Sequence, residues 1–198
     1  MTGTHTDRAA RIIPRCREIA VCTEIPGEIT RLFLTPPMHK VQALLRGWME
    51  AAGMTVHIDA IGNLRGFWPG LTPESPRLLI GSHLDTVPNA GAFDGILGVV
   101  LGVSIIEELK GQFLPFAVEV IGFSEEEGVR FSKPFLGSLA LVGELDAKTL
   151  ARTDRNGISV AQAIQAYGLD PAQLPAAALD NGTFAFLEFH IEIGRAHV

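Results

Sequence analysis

A short continuous apolar run, Arg77-Leu-Leu-Ile-Gly-Ser-His83, and a second run that reads as a buried strand, Phe116-Ala-Val-Glu-Val-Ile-Gly-Phe123, flank a helix-like stretch over residues 95–110 that is apolar on most sides. Runs of this kind are expected of strands covered on both faces. A strand, a crossover helix and a second strand call for a right-handed parallel connection, because strand twist packs the helix back onto the sheet in that sense. The order therefore predicts an α/β fold: a mixed, largely parallel sheet sandwiched by helices.

The rest of the chain fits around that unit. Thr35 is a natural N-cap, Pro36 and Pro37 suit a first turn, and Val41, Leu44, Leu45, Trp48 and Met49 recur at helical spacing until Gly53. Over residues 54–59, Val56 and Ile58 alternate with polar neighbours, and a Gly62-Asn63 turn leads to a second strand over 64–68, which predicts a hairpin. Further helices are expected over 136–142, 147–152 and 160–167. The Pro/Ala-rich residues 170–178 read as a connection, and residues 183–191 as a last strand. No internal repeat is present.

Composition narrows the function. At 47% hydrophobic over 198 residues, the chain can bury a core. Its 22 acidic and 16 basic residues give a net charge of −6, and it has no Lys/Arg cluster for a phosphate backbone or an anionic membrane, so neither nucleic acid nor membrane is an expected partner. The charge-free stretch in the apolar middle, residues 95–106, is far short of the roughly 20 residues that span a bilayer. The amino-terminal residues lack an apolar signal region. A cytoplasmic location is expected, with Cys16 and Cys22 as reduced thiols.

In parallel sheets, ligands collect where the carboxyl ends of strands open into loops. That edge should receive His83 and Asp85 from the first buried strand, Asp94 from the start of the next helix, Glu125, Glu126 and Glu127 from the second strand, and His190 from the last. Three adjacent glutamates would repel one another, and a bound cation is the economical reason to hold them near an interior. A His/Asp/Glu set without thiolate suits Zn²⁺, and also Mn²⁺, Co²⁺ or Ni²⁺, at a catalytic rather than a closed structural centre. Asp85, two residues past His83, is placed to accept the other ring N–H. One carboxylate such as Asp94 could bridge two metals about 3.5–4 Å apart, and one of two vicinal glutamates could take a proton from metal-bound water of pKa about 7. Gly91, Gly95 and Gly98 do not form a phosphate cradle, since no Walker lysine follows. His5, His39 and His57 read as packed or solvated side chains.

These segments carry a family resemblance. Gly81-Ser-His-Leu-Asp-Thr-Val87, Gly91-Ala-Phe-Asp-Gly95, Ser124-Glu-Glu-Glu-Gly-Val-Arg-Phe131 and Glu188-Phe-His-Ile-Glu192, with Trp48-Met-Glu-Ala-Ala-Gly-Met54 and Gly62-Asn-Leu64, resemble the dinuclear metallo-amidohydrolases. These comprise allantoate amidohydrolases, N-carbamoyl-L-amino-acid hydrolases and β-ureidopropionases, relatives of zinc aminoacylases and carboxypeptidases. The resemblance implies a zinc-exopeptidase-like catalytic domain that hydrolyses a linear ureido or carbamoyl C–N bond of a small molecule. It implies two divalent metal ions, with His83 and Glu127 on separate metals, Asp94 bridging, His190 completing one side, and Glu126 as general base with Asp85 beside it. A peptidase or N-deacylase of the same superfamily, or a metal-free binding module, is the alternative.

Members of that family are about twice as long. After the His-Ile-Glu motif they carry Gln-Gly, a lid and dimerisation domain, and a return to the catalytic domain with one more ligand histidine. The expectation is that residues 1–192 are the amino-terminal part of an incomplete catalytic domain, inactive alone, whose parent is a homodimer through the lid. Ile193 stands where Gln is expected, and residues 193–198 can be encoded by a common sequencing-library adapter, so they are expected to be a non-native tail.

Overall fold

The computed structural model describes residues 5–191. In chain order it contains α1 (His5–Ala20), α2 (Pro36–Ala51), the hairpin β1 (Thr55–Ile58) and β2 (Leu64–Trp68), β3 (Arg77–His83), α3 (Ile96–Leu109) and β4 (Ala117–Phe123). After these come α4 (Leu136–Leu141), α5 (Ala147–Leu150), α6 (Val160–Ala166), a 3₁₀ turn over Pro171–Ala177, and β5 (Thr183–Glu188). The proposed non-native tail at 193–198 lies outside the described residues.

The sheet runs in the order β1-β2-β4-β3-β5. β3 pairs in parallel with β4 and β5, while β2 pairs antiparallel with β1 and β4. The sheet is therefore mixed and flanked by helices, and its parallel share is half of the pairings. The antiparallel half comes from the hairpin, whose short reversal over residues 59–63 cannot make a parallel neighbour.

Each face has its own cover. On one, Val118, Val120 and Ile80 of the sheet meet Val99, Val100 and Val103 of α3, with Met38, Val41, Leu45 and Met49 of α2 completing a continuous core. Helix α3 sits tight because Gly102 faces Val120: a Cβ there would stand 2.9 Å from the valine Cγ1. On the other face Leu79, Ile121 and Phe123 pack against Leu141 of α4 and Leu179. The 3₁₀ turn at 171–177 gives the Pro/Ala-rich connection a buried Leu174 and Ala177.

Helix α1 contains Pro14, which interrupts the pattern by which a helix is recognised, yet Cys16 and Ile19 are buried and its last turns dock on α3. Thr35 occupies the N-cap of α2 in extended geometry but makes no cap bond to the helix. Its hydroxyl instead donates to Glu24 at 2.8 Å. Strand β5 is one of the two sheet edges among the described residues, and Phe184, Phe186 and Leu187 are exposed along it.

Candidate metal centre

Because β3, β4 and β5 are parallel, their carboxyl ends open on one edge, and in register His83 lies opposite Phe123. Residues 84–94, 124–128 and 189–190 leave from that edge. The topology alone thus gathers the expected site residues. The local geometry then decides how they can be used.

His83 is fully buried. Its Nδ1 is 2.9 Å from the main-chain carbonyl of Asp85, an atom that can only accept, so Nδ1 carries the proton. Its Nε2 is buried without a hydrogen-bond partner and faces the Asp94 carboxylate at 3.6 Å. Among the described residues, donor atoms of His83, Glu126 and Glu127 lie within 4.8 Å of one another, a spacing that could hold a metal ion. Asp94 adjoins that triplet through His83, and the His190 ring centroid is 5.3 Å from that of His83. His190 Nδ1 contacts Glu188 at 3.1 Å.

Asp85 is used differently from expectation. Its carboxylate stands 3.5 Å from His83 Nδ1, and the residue's own carbonyl takes the ring N–H because it is nearer. The carboxylate instead accepts the main-chain N–H groups of Glu126 and Glu127, at 3.0 and 3.1 Å. One residue therefore orients the imidazole through its backbone and the acidic loop through its side chain.

A second brace reaches the loop from the hairpin. Asn63, fully buried, accepts from the Ser124 amide at 3.0 Å through Oδ1 and donates through Nδ2 to Asp59 and to the Gly137 carbonyl, each at 3.0 Å. Ser124 Oγ donates to the Ile61 carbonyl at 2.8 Å. In the sequence Asn63 reads as half of a turn and as part of the Gly62-Asn-Leu64 resemblance; nothing in its neighbourhood marks the span of 61 residues to Ser124.

The electrostatics report an acidic centre short of positive charge. Burial pushes the Glu127 carboxyl up to about 7, against the pull of His83 and with Asp94, Glu126 and Asp85 adding to the rise. Burial raises Glu126 and Glu125 as well, with Asp85 contributing to both. For His83 burial opposes the charged ring, but Asp85 and Glu126 outweigh it and hold the imidazole up at about 9. Protons accumulate where a divalent cation would displace them. With an unpartnered, buried Nε2 between carboxylates, the donor set fits a metal of the Zn²⁺ or Mn²⁺ class.

Backbone geometry protects the arrangement. Gly95 adopts φ +64 directly after Asp94, and a Cβ there would lie 2.5 Å from the His83 carbonyl and 2.6 Å from its Nδ1. Only glycine lets the α3 start approach the imidazole so closely.

No protein-family model matches the chain. Among curated proteins it is 41% identical over 189 residues to an N-carbamoyl-L-amino acid amidohydrolase of Geobacillus stearothermophilus, covering 93% of this chain and 46% of that protein. It is 39% identical to an allantoate deiminase of Arabidopsis thaliana, covering 92% of this chain and 36% of that protein. Among solved structures, a hydantoinase/carbamoylase family amidase from Burkholderia ambifaria superposes with a TM-score of 0.83 at 35% identity, over 93% of this chain and 46% of that one. The chain spans about half the length, or less, of the relatives it matches. No helix among the described residues is long and apolar enough to cross a membrane. By sequence and by fold, the chain is a relative of the carbamoylase and allantoate deiminase amidohydrolases.

Proposed function

We propose that the protein to which this chain belongs is a metal-dependent hydrolase of a linear amide, cleaving the ureido or carbamoyl C–N bond of a small molecule such as allantoate or an N-carbamoyl-L-amino acid. The observation that carries this reading is the buried Nε2 of His83, unpartnered and turned toward Asp94 beside Glu126 and Glu127. The relatives, whose names specify ureido and carbamoyl chemistry, support it.

His83, Asp94, Glu127 and His190 are the residues that would hold two divalent cations, with Asp94 between them; Zn²⁺ or Mn²⁺ suits the donors, and Co²⁺ and Ni²⁺ are compatible. Such ions, when bound, polarise a carbonyl and bring the pKa of water down to about 7. Glu126 is the general base: it takes a proton from the attacking water and returns it to the departing nitrogen. Asp85 keeps both glutamates aligned by holding their amides. A cavity of about 160 Å³ bounded by Phe123, Glu126, Phe135, Ser138, Phe186 and His190 adjoins the base and is suited to a small planar group. Residues 1–192 would form part of the catalytic domain, about half of such an enzyme, with the lid and dimerisation portion outside them; the assembly would be a homodimer in the cytoplasm.

The test is Glu126→Gln in the whole protein. Metal content should be retained while turnover of allantoate and N-carbamoyl amino acids falls by at least 10²-fold, the lower end of what a positioned general base supplies. Undiminished turnover would remove Glu126 from its role. Faster cleavage of N-acyl or peptidyl substrates than of carbamoyl ones would move the protein to the deacylase and peptidase branch.

A further inference from the structure

The turn over residues 84–86, which carries the centre from β3 toward α3, is held by one residue of a distant loop, through its side chain and its main chain. Arg31 lies between α1 and α2 and is 1% exposed. Its Nε donates to the Leu84 carbonyl at 3.1 Å. Its main-chain N–H donates to Thr86 Oγ1 at 3.0 Å, and its carbonyl accepts the Thr86 amide at 2.9 Å. Three bonds thus fasten both flanks of Asp85, and Asp85 fastens the amides of Glu126 and Glu127.

A structural need alone does not account for a cation at this place. Burying a guanidinium is costly unless it is paired, and Arg31 Nη1 has no hydrogen-bond partner. What surrounds it electrostatically is Cys22 and the carboxylates of Asp85 and Asp94, two of the acidic groups of the centre. The planar fork, unlike an ammonium, bonds the Leu84 carbonyl through Nε while its delocalised charge stays within electrostatic reach of those carboxylates.

We propose that Arg31 is a positioning residue that holds the 84–86 turn, and through Asp85 the amides of Glu126 and Glu127, in the geometry of the acidic centre. It rests on the reading above only for its metal-affinity arm. The experiment compares the chain with Arg31→Met and Arg31→Lys by residue-resolved amide hydrogen exchange and by titration with Zn²⁺ and Mn²⁺. The amides of Glu126, Glu127 and Thr86 should exchange at least about tenfold faster in both variants, with those of Val99 to Val103 in α3 unchanged, because local opening is read separately from global unfolding. Metal affinity should fall by about 10–100-fold, as for loss of a residue that orients ligands. Accelerated exchange with unchanged metal affinity would uphold the brace and count against the metal reading. Unchanged exchange at Glu126 and Glu127, a loss of protection spread evenly over the sheet, or full restoration by lysine would each overturn the proposal. Should Arg31→Met fail to fold, Thr86→Val removes the acceptor of the Arg31 amide together with the 3.5 Å bond to the Ile29 carbonyl and leaves the guanidinium in place, and the same three amides must again quicken for the proposal to stand.

Discussion

Strand β4 carries buried carboxylates at two places, and they are treated in opposite ways. In mid-strand, Glu119 is 2% exposed and fully answered by cations: Arg65 Nε bonds one oxygen at 2.5 Å and Arg77 Nη1 the other at 2.7 Å. Arg77 continues to Asp180 and Arg65 to the Ala177 carbonyl, so the chain of charges staples the 3₁₀ turn and its exit to the sheet. Just past the end of the same strand, residues 125–127 gather beside Asp85 and Asp94, and among the described residues no Lys or Arg ion pair reaches any of them. Arg130, the nearest candidate in sequence, is committed to Asp154 and to the Phe33 carbonyl. A carboxylate that the protein neutralises for itself is architecture. The amides of Glu126 and Glu127 are braced by Asp85 while their carboxylates meet no Lys or Arg ion pair among the described residues, which leaves them available to the cations proposed above.

The sharpest way to test that contrast is to remove the charge at the satisfied end. Glu119→Gln leaves Arg65 and Arg77 facing a neutral amide in the interior, and it should cost about 3–5 kcal/mol, the penalty for breaking one side of a buried pair. Denaturant unfolding reads it, and a loss below about 1 kcal/mol would show that the arginines find water or other partners. The acidic end should respond to cations instead. Zn²⁺ or Mn²⁺ at a hundredfold excess over its dissociation constant should add about 2.7 kcal/mol to stability, reversibly with a chelator. His83→Ala and Glu127→Ala should abolish that increment, whereas a gain that survives both substitutions would place the cation elsewhere. Gly95→Ala should lower stability both through backbone strain and through overlap of the new Cβ, 2.5 Å from the His83 carbonyl and 2.6 Å from its Nδ1. Strain at positive φ costs about 1–3 kcal/mol, and the new methyl, which meets the His83 carbonyl and imidazole, should also erase the metal increment. An alanine variant with full metal stabilisation would show that the imidazole can retreat without losing its role.

The two ends also differ in how far they could be read from the sequence. The acidic end was legible because strand ends and turn residues sit in short contiguous segments: His83, Asp94 and the glutamates each follow an apolar run or precede an apolar helix, and parallel topology brings such ends together. The crossover of β3, α3 and β4 was readable for the same reason, since apolar continuity signals burial on both faces. The ionic chain was not readable. Glu119 in an apolar strand looks like an interruption, and its partners lie 54 and 42 residues away. The braces were hidden too, because Asn63 and Arg31 act through tertiary hydrogen bonds that no periodicity announces. Spacing puts Asp85 next to His83, but spacing does not say which oxygen of a residue is nearer.

That last detail has a consequence for how such a centre can be altered. In residue 85 a peptide oxygen fixes which ring nitrogen carries the proton, while the side chain holds the acidic loop and, 3.5 Å from the ring, also raises the imidazole's affinity for a proton. Substitutions at position 85 can vary the pitch of the loop while the ring keeps its tautomer, because every amino acid brings the same carbonyl. At this position the tautomer is insulated from substitution, whereas the pitch of the loop and the charge state of the ring change together.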